Sequence, residues 1–247
     1  AEPVAYDHET MAPAIDVGRL TGPVRIDGIL EESVWQSVSP VTGFIQRHPA
    51  EGEEPTERTE VRFLADDEAL YIGARLFDSH PEEIRVATAR RDVVSDFDYV
   101  MIYLDSRHDH RSAFIFVLTP SGAYQDAALG TDGSRDPGWD PVWEGAASID
   151  EGGWQGEWRI PFSQLRFQAG EGTEWGVEIL RMIPRRQELD MFPFVSLGER
   201  FGAHRFGHLK GLGRLPEPRH LELLPYVTVR SQHLGKDPGN PFRRAAD

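Results

Sequence analysis

Alternation of apolar and polar positions dominates the chain. In Ala69–Asp78, ALYIGARLFD, the residues Leu70, Ile72, Ala74 and Leu76 recur at every second position, the period of a half-buried strand. Tyr99–Asp105, YVMIYLD, is nearly all apolar and predicts a central strand covered on both faces. Ser112–Leu118 and Ala123–Ala127 follow, parted by Pro120-Ser121-Gly122, a turn signal. Thr59–Leu64, Val142–Ile149, Trp154–Ile160, Trp175–Ile183 and Arg205–Lys210 complete the predicted strands. Strands at such intervals, without helices of useful length between them, indicate an all-β antiparallel sandwich or barrel rather than βαβ units.

Helical period is confined to short stretches. Leu30, Val34 and Val38 predict a short helix over Leu30–Ser37, and Pro81–Val86 and Ser163–Arg166 predict single turns. The helix belongs to PVRIDGILEESVW, where Asp27-Gly28 marks a turn. Glu31 and Glu32 suit the positive end of the helix dipole, and Trp35 is expected to plug one end of the sandwich. Ala128–Asp140, ALGTDGSRDPGWD, is long and rich in Gly and Asp, and on composition it is the expected binding loop. Residues 1–13 read as a tail, 14–216 as the sandwich, and 217–247 as an isolated alternating strand followed by a linker.

Composition narrows the chemistry. The 247 residues include no cysteine, which excludes disulfides, thiolate metal sites and a cysteine nucleophile. Formal charge is −15, and a strongly acidic body argues against a nucleic-acid partner. The 24 Arg and 2 Lys read as genome composition rather than as an anion-binding surface. No run of apolar residues is long enough for a membrane-spanning helix. The opening AEPVAYDHETMAPA resembles a mature N-terminus left after signal cleavage, or an arbitrary chain boundary.

Two constellations could bind ligands. Nine aspartates and no glutamate lie between Asp92 and Asp140. Short carboxylates in turns suit a hard cation such as Ca²⁺, and Asp92, Asp98, Asp105 and Asp126 are the candidate ligands, although EF-hand spacing is absent. Five tryptophans lie between Trp139 and Trp175. A flat indole offers a stacking face to the apolar side of a sugar ring, while carboxylate and guanidinium groups take its hydroxyls. Trp139, Trp143, Asp136, Arg91 and Arg111 form that candidate set, with Trp154, Trp158 and Trp175 assigned to the core. Catalytic motifs are missing: there is no Gly-x-Ser-x-Gly elbow, HExxH or phosphate loop. Glu157 and Glu178 are read as strand carboxylates paired with Arg159 and Arg181. His108 and His110 have the spacing of a metal pair on a strand, but read as a solvated hairpin tip.

A series of segments then occurs in a telling order: PVRIDGILEESVW, FLADDEALYIGARLFD, RRDVVSDFDYVMIYLDSRHDHRSAFIFVLTPSGAYQDA, WDPVWEGA, GWQGEWRIPFSQLRF, EWGVEILRMIPRRQE and HLKGL. The series resembles family 9 carbohydrate-binding modules over roughly residues 14–213, in the form found at the N-terminus of bacterial outer-membrane β-barrel proteins. That resemblance implies a jelly-roll sandwich, non-catalytic sugar binding by a pair of aromatics, structural calcium and an extracytoplasmic location. It also implies a reading of LELLPYVTVR as a lead into a membrane strand, in a chain that is either a fragment or a relative that stops short. The alternative is a structural or assembly module that caps an outer-membrane protein or docks on a larger complex. A glycoside hydrolase is the weakest reading.

Overall fold

The computed structural model describes residues 7–86, 96–168, 170, 172–213 and 215. Fourteen strands run through them. The first five are β1 (Ala14–Asp16), β2 (Gly18–Arg19), β3 (Ile45–His48), β4 (Thr59–Ala65) and β5 (Ala69–Phe77). Then come β6 (Tyr99–Asp105), β7 (Ala113–Leu118), β8 (Tyr124–Leu129), β9 (Arg135–Asp136) and β10 (Glu144–Asp150). The last four are β11 (Gly153–Pro161), β12 (Trp175–Ile183), β13 (Glu188–Phe192) and β14 (Gly207–Lys210).

They form two sheets. The larger runs β1-β14-β12-β6-β7-β8-β9, with β13 paired to β12 and β3 paired to β13. The smaller runs β10-β11-β5-β4-β2. Pairing is antiparallel except for β1 on β14 and β2 on β4. The protein is a β-sandwich, as the alternation predicts.

The core follows the period of two. Val100, Ile102 and Leu104 of β6 meet Leu70, Ile72, Ala74 and Leu76 of β5 and Trp154 and Trp158 of β11 between the sheets. Met101 and Tyr103 of β6, together with Ile115 and Val117 of β7, face the other way. Val195, Ala203 and Phe206 from the β13–β14 connection cover them. This is why YVMIYLD is apolar on both faces.

Among the described residues helix is nearly absent, as expected. Leu30–Ser37 reduces to a 3-10 turn over Ser33–Ser37, and the two other predicted turns settle at Pro81–Glu83 and Phe162–Gln164. Trp35 is fully buried, but not at an end of the sandwich. It packs with its neighbour Val34 and with Leu64, Ala69 and Tyr71, the last three on the outer face of the smaller sheet. Gly73 makes the room, since a Cβ there would sit 2.9 Å from the indole.

The Asp27-Gly28 turn seats on that same face. Glu157 Oε2 accepts the amides of Asp27 at 3.0 Å and Gly28 at 2.8 Å. Gly28 has φ +84°, and a Cβ would lie 2.5 Å from the backbone of Ala147. Gly28→Ala is therefore expected to cost about 3 kcal/mol or more, read as a fall in the urea midpoint. A loss under about 0.5 kcal/mol would contradict this seating.

Residues 7–13, the described part of the expected tail, are mostly exposed but attached to the sandwich. His8–Met11 forms one helical turn, and the carbonyl of Pro13 accepts the amide of His208 at 2.8 Å. The region 217–247, with its alternating stretch His220–Arg230, lies outside the described residues.

Candidate functional site

A groove of about 490 Å³ opens at one end of the larger sheet. Its floor comes from the end of β6 and the start of β7, through Leu104, Asp105, Ala113 and Phe114. Its wall is the 128–140 loop, including Thr131, Ser134, Asp136 and Trp139, with Arg107 and Arg166 at its sides. The loop holds its shape through its own short polar residues. Asp132 Oδ1 accepts the amide of Ser134 at 2.8 Å, Asp136 Oδ1 accepts the amide of Gly138 at 2.9 Å, and β9 pairs with β8. These turns fix where Trp139 stands.

Trp139 is half-buried. Its ring lies 4.4 Å from that of Phe114 at 31°, and 5.7 Å from Phe116 edge-on. Two aromatic neighbours hold the indole in place, so a ligand meets a rigid apolar wall rather than a mobile side chain. Hydroxyl, carboxylate and guanidinium groups of Ser112, Ser134, Asp136, Arg107 and Arg166 surround that wall. An apolar platform ringed by hydrogen-bonding groups of both signs fits a polyhydroxylated ring. Asp105 also lines the groove, but its oxygens are already used. Oδ2 accepts the amide of His110 at 2.8 Å and Oδ1 that of Asp109 at 3.2 Å. Burial pushes its carboxyl up to about 6.

The residues expected from sequence divide. Trp139 and Asp136 share the groove. Trp143 does not: it is 4% exposed, it packs on Phe116 and Tyr124, and its Nε1 donates to Asp126 Oδ2 at 3.1 Å. Entry into β10 turns that indole inward. Arg111 is exposed and lines a neighbouring hollow with Asp132, Arg200 and Phe201. Arg91 and Asp92 lie outside the described residues. Arg107, Ser112 and Phe114 of the β6–β7 hairpin, and Arg166 from the chain after β11, are additions.

The three described aspartates of the expected calcium set do not share a site. Asp98 precedes β6 and Asp105 ends it, which separates them by roughly 20 Å of strand. Asp126 lies in β8 beside Trp143. Their placement does not fit one calcium ion. Asp98 is buried near Arg181, Arg185 and Asp78, and burial pushes its carboxyl up to about 6.

Glu157 and Glu178 also differ from expectation. Glu157 binds the Asp27-Gly28 turn, while Arg159 donates to Glu144 at 3.0 Å. Glu178 is fully buried on the outer face of the larger sheet, facing Arg47 and Arg205. Arg181, three residues on, points into the sandwich instead.

Comparison with solved structures agrees with this fold. The chain resembles a family 9 carbohydrate-binding module from Caldicellulosiruptor kristjanssonii in complex with glucose, at TM-score 0.58 and 18% identity over 86% of this chain and 100% of that one. The same kind of module from that organism, in complex with cellotriose, gives TM-score 0.57 and 20% identity, with the same coverage. The fold is the one these modules share. A candidate carbohydrate-binding protein from Bacteroides uniformis superposes at TM-score 0.63 and 11% identity, over 81% of this chain and 99% of that one. No family model and no curated protein matches the sequence.

Proposed function

We propose that the protein is a non-catalytic carbohydrate-binding module whose ligand occupies the groove at Trp139. The observation that carries this reading is the fixed Trp139 face set among Asp136, Ser112, Ser134, Arg107 and Arg166. Solved modules of the same fold hold glucose and cellotriose, which makes these two sugars the first probes. A glycan array followed by calorimetric titration tests the reading. Binding in the millimolar range or tighter is expected, with Trp139→Ala at least tenfold weaker. Binding that ignores Trp139→Ala, or no binding to any glycan, would overturn it.

Calcium belongs to this proposal only through the sequence resemblance. If the metal-free protein melts at the same temperature with and without added CaCl₂, a stabilising calcium site is excluded.

The proposed setting is extracytoplasmic, in a bacterial envelope or at the cell surface. Among the described residues no helix is long and apolar enough to cross a membrane, which says nothing of a β-barrel. The barrel-linked reading has its support in the alternating stretch His220–Arg230, and the full reading frame of the gene tests it.

A further inference from the structure

Next to the proposed sugar groove, on the same β6–β7 hairpin, histidines from three parts of the chain converge. His8 comes from the helical turn ahead of β1, His108 and His110 from the β6–β7 hairpin, and His208 from β14. Ring centroids lie 4.4 Å apart for His8 and His110, 4.5 Å for His108 and His110, and 4.7 Å for His8 and His208. The potential ligand atoms of His8, His108 and His110 all lie within 4.8 Å of one another.

The hairpin is shaped to do this. His108 has φ +50° and His110 φ +56°, a left-handed conformation that side chains other than glycine adopt at a cost. Asp105 locks it by accepting the amides of Asp109 and His110. Two left-handed residues turn both imidazoles toward His8 instead of splaying them into solvent. Nε2 of His108 and Nδ1 of His110 are buried without a hydrogen-bond partner, which is costly unless another ligand satisfies them.

His8 shows a further sign of a metal ligand. Its Nδ1 donates to the carbonyl of His204 at 3.0 Å, which fixes the tautomer and leaves Nε2 as the basic nitrogen. A backbone carbonyl behind a ligating imidazole is the usual orienting contact at such sites. His208 backs the cluster, with its Nδ1 3.6 Å from Glu174. Burial and mutual repulsion lower the affinity of His8 and His108 for protons.

We propose that His8, His108 and His110 bind a divalent transition-metal ion of the zinc class. Three imidazoles and no carboxylate suit zinc, cobalt or nickel, whereas calcium takes oxygen ligands. Tetrahedral bonds to zinc need nitrogens about 3.4 Å apart, which small ring rotations reach from the present spacing. The fourth position takes water. The ion would pin the segment before β1 onto the β6–β7 hairpin and the β13–β14 connection.

The test uses tag-free protein stripped of metal, titrated with ZnCl₂ by calorimetry and with CoCl₂ by visible absorption. One zinc per chain is expected, tighter than about 10 µM, with the intense d–d bands of tetrahedral cobalt. His108→Ala and His8→Ala are each expected to weaken zinc at least roughly 100-fold. His8 lies outside both sheets, so His8→Ala reports on the metal even if the hairpin variant fails to fold. No zinc binding at about 100 µM overturns the proposal. So does zinc binding that His8→Ala leaves unchanged.

Discussion

Arg181→Ala is expected to lower stability by about 3–5 kcal/mol, a larger loss than any surface substitution would give. Arg181 has the parity of Trp175, Val177 and Ile179 on β12 and so points between the sheets, where it is 0% exposed. Its guanidinium crosses to the smaller sheet. Nη1 donates to the carbonyl of Arg58 and to Thr59 Oγ1, both at 3.0 Å, and Nη2 donates to the carbonyl of Phe77 at 2.6 Å. Around it stand Asp190, Asp78, Asp98 and Glu57, and Arg185 clamps Asp78 bidentately at 2.8 and 2.6 Å. Removing Arg181 leaves strand-end carbonyls without their donor and buried acids without their cation. Arg181→Lys cannot reproduce the fork and should lie between wild type and Arg181→Ala. Urea unfolding measures all three. If Arg181→Ala costs less than about 1 kcal/mol, this end of the sandwich is not held as described.

Stability is expected to fall as pH rises from 5 to 8. Burial pushes Glu157 up to about 7 and Asp98 up to about 6. Asp190 is pushed to about 8 by burial and by neighbouring Glu188, and Glu178 lies well above the ordinary range because it is buried. In each case the folded chain holds a proton that the unfolded chain releases. The unfolded state thus binds fewer protons, and the slope of stability against pH is negative. The stabilisation is complete below about pH 4 and is lost as pH climbs through the folded-state values. Asp66, Asp109 and Asp150 shift the other way, each through accepted hydrogen bonds that outweigh burial. Their contribution is lost only below about pH 4, outside this window; inside it the lowered His8 and His108 oppose the fall, and the raised Glu157, Asp98, Asp190 and Glu178 outnumber them. Glu157 alone accounts for about 2–3 kcal/mol between pH 5 and 8. Glu157→Gln keeps an oxygen for the amides of Asp27 and Gly28 and should flatten the curve by that amount. A wild-type melting temperature that is flat or rises from pH 5 to 8 would contradict these buried acids.

Much of the sandwich is legible in the sequence because its inner strands alternate cleanly. β4 to β8 and β10 to β12 appear at or within a few residues of their expected bounds. The short edge strands β1, β2, β3 and β9 carry too few residues for a period to show. Trp139 and Asp136 share one long loop rich in Gly and Asp, so their common place in the groove is legible from the sequence. The inward turn of Trp143 is not legible, because WDPVW has no regular period and nothing local says which way each indole turns. Closeness of charge pairs Glu157 with Arg159, yet its partners are amides 130 and 129 residues away. The histidine cluster fails for the same reason. His8 and His108 stand 100 residues apart, and only the docking of the first turn against the hairpin joins them.

The most direct measurement is an ¹⁵N–¹H correlation spectrum of the indole N–H groups, recorded while adding whichever glycan the array identifies. The chain has six tryptophans, and Trp139→Ala assigns the one in the groove. A large shift of the Trp139 signal, with Trp35, Trp154, Trp158 and Trp175 nearly still in the core, is the expected result. A Trp139 signal that stays fixed while glycan binds would contradict the placement of the sugar in this groove.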